Sequence, residues 1–133
     1  MNAITSLHDA RAAEKEQALF YRALAALAEE RGDAAVSERL NGLHADEQHH
    51  LSRLTARLLE LGRRPANLDH VVPPETPLGE WEAVVREREN AELVLYRDIP
   101  VHELDEDTRA LIEEIFAVER RHFSELDGKW TMA

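Results

Sequence analysis

The apolar positions of this chain recur in steps of three and four, the repeat that turns one face of an α-helix toward a core. Between residues 34 and 62 the stripe runs Val36, Leu40, Leu43, Glu47, His50, Leu54 and Leu61, with one step skipped. A second stripe follows Ile112, Ile115, Glu119, His122 and Leu126. Near the N-terminus one face collects Leu7, Ala10, Glu14, Tyr21 and Leu24; between 77 and 99 another collects Leu78, Val85, Glu89, Glu92, Tyr96 and Ile99. No strand pattern competes with these, so the expected class is all-α.

Cap and breaker residues divide the pattern into four helices. Ser6 is expected to cap the first, which ends before Gly32. Asp33 caps a second that runs to Gly62, with Pro65 just beyond. Thr76 and Pro77 open a third, because proline is accommodated at a first helical position, and Pro100 closes it. Asp105 caps a fourth that reaches Gly128. The predicted helices are 6–31, 34–62, 77–99 and 105–128, in one domain spanning 1–133.

The connections predict how these helices pack. Arg31-Gly32-Asp33 is so short that the first two helices must form an antiparallel hairpin, and the turn around Pro100–Leu104 does the same for the last two. Between the hairpins lies RRPANLDHVVPPET, residues 63–76, too rich in proline for a helix. Extended at roughly 3.3 Å per residue, it covers about 45 Å, about the length of the neighbouring helix at roughly 1.5 Å per residue. The expected architecture is therefore an antiparallel four-helix bundle of two hairpins joined by a crossover loop, in preference to a simple up-down bundle.

Charged residues on buried stripes are the anomaly that calls for chemistry. A Glu–x–x–His pair alone is weak evidence: with 19 glutamates and seven histidines, chance supplies about one. Placement carries more weight. Glu47/His50 and Glu119/His122 each lie mid-helix on the apolar stripe, one pair per hairpin, and a spacing of three lets both side chains point the same way. Glu14 and Glu47 are about equally far from the first hairpin turn, as Glu89 and Glu119 are from the second. The halves also resemble each other, since tyrosine follows glutamate by seven in both Glu14–Tyr21 and Glu89–Tyr96. A single glutamate on such a stripe is ordinarily a boundary residue whose head group reaches water, and a single histidine ordinarily a hydrogen-bonded core residue. Six at one depth are different: four unpaired carboxylates would repel one another and cost several kcal/mol each. Two divalent cations would balance them, with the imidazoles completing the shell.

Composition narrows the candidates. The 27 acidic residues exceed the 16 Lys and Arg, a formal charge of −11 that argues against nucleic acid and anionic membranes as partners. The absence of cysteine excludes disulfides, zinc ribbons, iron–sulfur clusters and thiol catalysis, leaving His and carboxylate for any metal. The N-terminus is not an apolar signal segment and no apolar run could span a bilayer, so a cytoplasmic location is expected.

The order Glu, Glu–x–x–His, Glu, Glu–x–x–His over four helices resembles the ferritin-like di-iron carboxylate proteins, across about Ser6 to Leu126. The resemblance implies that Glu14, Glu47, His50, Glu89, Glu119 and His122 are metal ligands, with Glu47 and Glu119 bridging two ions. Rubrerythrins look nearest: ADEQHHLSRL is similar to their second helix, and Glu92 matches an additional helix-3 carboxylate, a possible seventh ligand, where the first helix has Gln17. Asp46 resembles an aspartate that supports a histidine in related oxidases, which implies that it orients His122. His49 lies off the stripe and reads as a surface residue. Unlike rubrerythrins proper, the chain has no four-cysteine iron site, so a peroxidase of this type needs a separate electron donor. Haem, which bacterioferritins often bind through methionine, is not expected with methionine only at positions 1 and 132. A fifth helix of the kind found in cage-forming ferritins is not expected from these residues, so a mineral-storing shell is not the expected assembly.

The implied activity is oxidation of ferrous iron, reduction of peroxide, or both, at paired iron or manganese ions, with O₂ or H₂O₂ as oxidant. A di-iron oxygenase or manganese catalase, and a non-enzymatic iron-storage or compartment-cargo protein, are the alternatives. Tyr21 and Tyr96 could donate hydrogen bonds to the site or relay an electron, although aromatic core packing with a satisfied hydroxyl is the preferred reading. Such bundles commonly form homodimers or larger homo-oligomers; Leu51, Leu58 and Leu59, beside the helix-2 stripe, either serve such an interface or widen the core.

Overall fold

The computed structural model describes residues 3–73, 75 and 78–126, for Leu126 the backbone alone. Among them are four α-helices and no strand: α1 (Ala3–Glu30), α2 (Ala34–Glu60), α3 (Trp81–Arg97) and α4 (Glu106–Leu126). Short 3₁₀ turns, Leu78–Glu80 and Val101–Glu103, precede α3 and α4. No helix among the described residues is long and apolar enough to cross a membrane.

The helix ends follow local chemistry. Gly32 and Gly62 adopt φ of 72° and 74°, the left-handed conformation that glycine enters without a Cβ clash. Each completes a Schellman turn: Asp33 N–H reaches the Ala28 carbonyl at 2.9 Å, and Arg63 N–H reaches that of Leu58 at 2.9 Å. The Asp33 carboxylate accepts from Val36 N–H at 3.2 Å, and that of Asp105 from Thr108 N–H at 3.1 Å, as caps should.

Two expected boundaries are corrected. Ser6 is not a cap; it lies buried inside α1, because Ala3 and Ile4 pack against the core and no breaker stops the helix from extending back to them. Regular helix in the third segment begins at Trp81 rather than 77, with Gly79, a weak helix former, inside the 3₁₀ turn that precedes it. The proposed opening residues Thr76 and Pro77, and the fourth helix's end at Gly128, lie outside the described residues.

Contacts between helices run in opposite sequence order. Arg22 meets Asn41, Ala18 meets His44, Glu14 meets His50 and Arg11 meets Thr55 along α1 and α2. Along α2 and α4, Asp46 meets His122, His50 meets Glu119 and Arg57 meets Thr108. The core divides into two apolar clusters. One gathers residues that include Phe20, Leu24, Leu40, Leu43, Trp81 and Val85. The other gathers Leu7, Leu54, Leu58, Tyr96, Ile112 and Ile115, among others. In α1, α2 and α3 the anomalous glutamates fall between members of the two clusters, so apolar packing closes a polar layer from both ends.

Leu58 is fully buried in the second cluster and widens the core, whereas Leu59 stays 59% exposed. The α2–α3 connection leaves α2 beside Leu58 and arrives at Leu78 in the other cluster. Arg11 anchors it at the Ala66 carbonyl, 2.7 Å away, and Asn67 folds it by accepting from Asp69 N–H at 2.7 Å.

Candidate metal centre

Within the polar layer Glu14, Glu47, Glu89 and Glu119 have no exposed surface at all, and His50 and His122 retain only 3% and 2%. One glutamate comes from each helix, and the histidines lie one turn beyond Glu47 and Glu119. All six side chains meet. Their donor atoms form two groups, Glu14–Glu47–His50–Glu119 and Glu47–Glu89–Glu119–His122, each with its atoms within 4.8 Å of one another. Glu47 and Glu119 belong to both. His49 is exposed, as its place off the stripe predicts.

The two histidines are held differently. His122 Nε2 pairs with the Asp46 carboxylate at 2.8 Å, while its Nδ1 faces Glu47 and Glu89 at 3.5 Å each and has no hydrogen-bond partner. His50 turns Nδ1 inward too, but there it meets Glu14 at 2.7 Å and Glu119 at 3.2 Å.

Glu92 joins the layer. It is 4% exposed, and both of its carboxylate oxygens are buried without a partner. Tyr21 does more than pack: its hydroxyl donates to Glu89 and accepts from Gln17 Nε2 at 3.2 Å. Tyr96, its counterpart in the other half, is buried with no partner for its hydroxyl among the described residues. Sequence reasoning missed how Gln17 and Arg88 bear on this site. Arg88 Nε donates to Gln17 Oε1 at 2.6 Å, and another of its nitrogens binds Glu16. The one available signal was that Gln17 occupies the position in α1 that Glu92 occupies in α3; for Arg88, inside a charged helical run, there was none.

Protons alone balance this much charge poorly. Burial, then the charges of Glu14, Glu119 and Glu89, push Glu47 well above the ordinary carboxylate range. Burial, then Glu14, Glu47 and Glu119, do the same to Glu92. Burial raises Glu89 to about 8 against the pull of His122. Although burial opposes their charge, Glu119 and Glu14 lift His50 to about 9, and Asp46 and Glu89 lift His122 to about 10. Glu119 moves the other way: against burial, the close approach of His50, Glu89 and Glu47 holds it at about 2. Glu119 is thus favoured in its charged form, while Glu47, Glu89 and Glu92 are pushed toward their protonated forms.

Eight carboxylate oxygens of Glu14, Glu47, Glu89, Glu92 and Glu119 remain buried without hydrogen-bond partners. Each such group costs about 1–3 kcal/mol if nothing satisfies it. A concentration of orphaned acceptors with two inward imidazoles fits divalent cations, and its oxygen and nitrogen donors suit iron, manganese or zinc. No protein-family model, curated protein or solved structure matches the chain.

Proposed function

We propose that this protein is a ferritin-like bundle that binds two iron ions, or two manganese ions, and uses them as an oxidoreductase that oxidises ferrous iron, reduces peroxide, or does both. The observation that carries this reading is the pair of donor groups sharing Glu47 and Glu119. Two adjacent groups with two common carboxylates suit two ions side by side better than one ion or none.

The packing supports the topology this reading requires. The opposed contact order of α1 with α2, and of α2 with α4, suits antiparallel neighbours. The passage from Leu58 in one cluster to Leu78 in the other suits a crossover loop.

Two ferrous ions in these groups would supply one electron each to O₂ or peroxide. Glu47 and Glu119 would bind both ions, Glu14 and His50 one, and Glu89 and His122 the other. Asp46 holds His122 Nε2 and so keeps Nδ1 aimed at the centre. Tyr21 holds its hydroxyl proton on Glu89, and Glu92 offers a further carboxylate beside Glu14. The apolar clusters on either side exclude water. With no cysteine in the chain, turnover as a peroxidase would draw electrons from a separate donor.

Anaerobic ferrous loading followed by elemental analysis tests the reading. About two irons per chain are expected, with oxidation faster by peroxide than by O₂. The Glu14→Ala, Glu47→Ala double variant should lose that binding. If it holds metal as tightly as the parent, the proposal fails.

A further inference from the structure

Between α1 and α3, beneath residues 70–72 of the α2–α3 connection, lies a cleft of about 570 Å³. The small side chains Ala12, Ala13 and Ala91 line it together with the larger Leu95, and so do Gln17 and Glu92. We propose that this cleft is the path by which a small uncharged oxidant, of the size of hydrogen peroxide, approaches the centre, with Arg88 as its movable closure. The path rests on the metal-centre reading and adds to it a direction of approach.

Two observations join the cleft to the centre. The Glu92 side chain lines the cleft, yet its two carboxylate oxygens are fully buried, unpartnered and beside Glu14. Glu92 therefore touches both the open space and the layer of proposed ligands. Gln17, 3% exposed, likewise lines the cleft and binds the Tyr21 hydroxyl, which in turn donates to Glu89. A cleft of about 640 Å³ between α2 and α4 also touches a histidine, but it meets His122 together with Asp46, which occupies the outer nitrogen of that ring. That opening leads to the back of a ligand.

Arg88 also lines the cleft and is strapped there from several sides. It donates to Gln17, pairs with Glu16, and lays its guanidinium over the Phe20 ring at 4.7 Å. The Glu16 strap is the weak one: that side chain is 46% exposed, where an ion pair contributes at most about 1 kcal/mol. Release of Glu16 and of the Gln17 Oε1 contact would let the long arginine swing outward, while the Gln17 amide nitrogen keeps its bond to the Tyr21 hydroxyl. Where alanines line the cleft, a larger side chain would narrow it.

Nitric oxide, a small uncharged probe, can time this approach by the absorbance change on mixing with ferrous-loaded protein. Ala91→Trp, an exposed helical position, should slow association roughly tenfold or more, and Arg88→Ala should speed it about threefold, with two irons per chain retained in both. Slowing by Ala91→Trp alone would keep the path and remove Arg88 as its closure. Association rates within about twofold of the parent in both variants, with iron bound, would overturn the path itself. A parent chain that binds no iron would instead overturn the metal-centre reading, and the path with it.

Discussion

The α1–α2 and α3–α4 halves repeat one pattern, glutamate with tyrosine seven residues on, then Glu–x–x–His, and yet treat its members differently. Tyr21 is tethered between Gln17 and Glu89, whereas Tyr96 has no hydrogen-bond partner among the described residues. His122 is gripped from outside by Asp46, so its inward nitrogen stays free. The position equivalent to Asp46 in the other half is Val118, which has no polar group to offer, and His50 spends its inward nitrogen on Glu14. A repeat places equivalent side chains at one depth. What each can do there depends on residues outside the repeat.

Proton balance gives the largest lever on that contrast. His50 and His122 are raised above their ordinary value, to about 9 and 10, so they stabilise the metal-free fold fully below about pH 6.5 and lose that contribution as pH climbs through those values. Glu47, Glu89 and Glu92 are raised too, and as acids they act in the same direction: their protonated forms favour the fold at low pH, and for Glu89 the benefit fades toward pH 8. Glu119, held at about 2, opposes them only in acid, where its contribution disappears as pH falls from about 4.5. The metal-free protein should therefore lose thermal stability between about pH 5 and 9. Metal affinity should rise over the same range, on the order of tenfold per pH unit for each proton displaced. Calorimetric melting and metal titration at three pH values check both; a metal affinity independent of pH would refute the proton balance.

Asp46→Ala removes the outer grip that only one half possesses. The His122 ion should bind about 10–100-fold more weakly. The His50 ion should be much less affected, so a stepwise metal titration should split where the parent's does not. Equal weakening of both steps would show that Asp46 supports the whole centre rather than one ring.

The tyrosines give the smallest and most local contrast. Tyr21→Phe takes a donor from Glu89 and an acceptor from Gln17, and should cost about 1–2 kcal/mol in denaturant unfolding. Tyr96→Phe removes a hydroxyl that has no partner among the described residues, and should be neutral or slightly stabilising, within about 0.5 kcal/mol. Equal costs would erase the asymmetry of the two halves.

Much of this was legible in the chain because helical periodicity is a local property. A step of three or four sets which face a residue occupies, so Glu14, Glu47, His50, Glu89, Glu119 and His122 could be placed on buried stripes without any partner in view. Glycine and aspartate at Gly32, Asp33, Gly62 and Asp105 likewise announce helix ends through their own backbone and side-chain chemistry. Ser6 shows where such signals fail, since a residue able to cap a helix does so only if packing does not extend the helix past it. The partnership of Asp46 with His122, expected from the family resemblance, could not have come from periodicity across 76 positions of chain.

By itself, then, the sequence determined the four helices, their apolar faces and the common level of the charged residues, because each depends on neighbours within a turn or two. Only the tertiary structure decided that Tyr21 belongs to Glu89, that Arg88 reaches Gln17 and Glu16, and that a cleft opens over Glu92. Those pairings join residues about 70 apart in the chain, and side-chain reach across a helix interface depends on crossing geometry that no local pattern encodes.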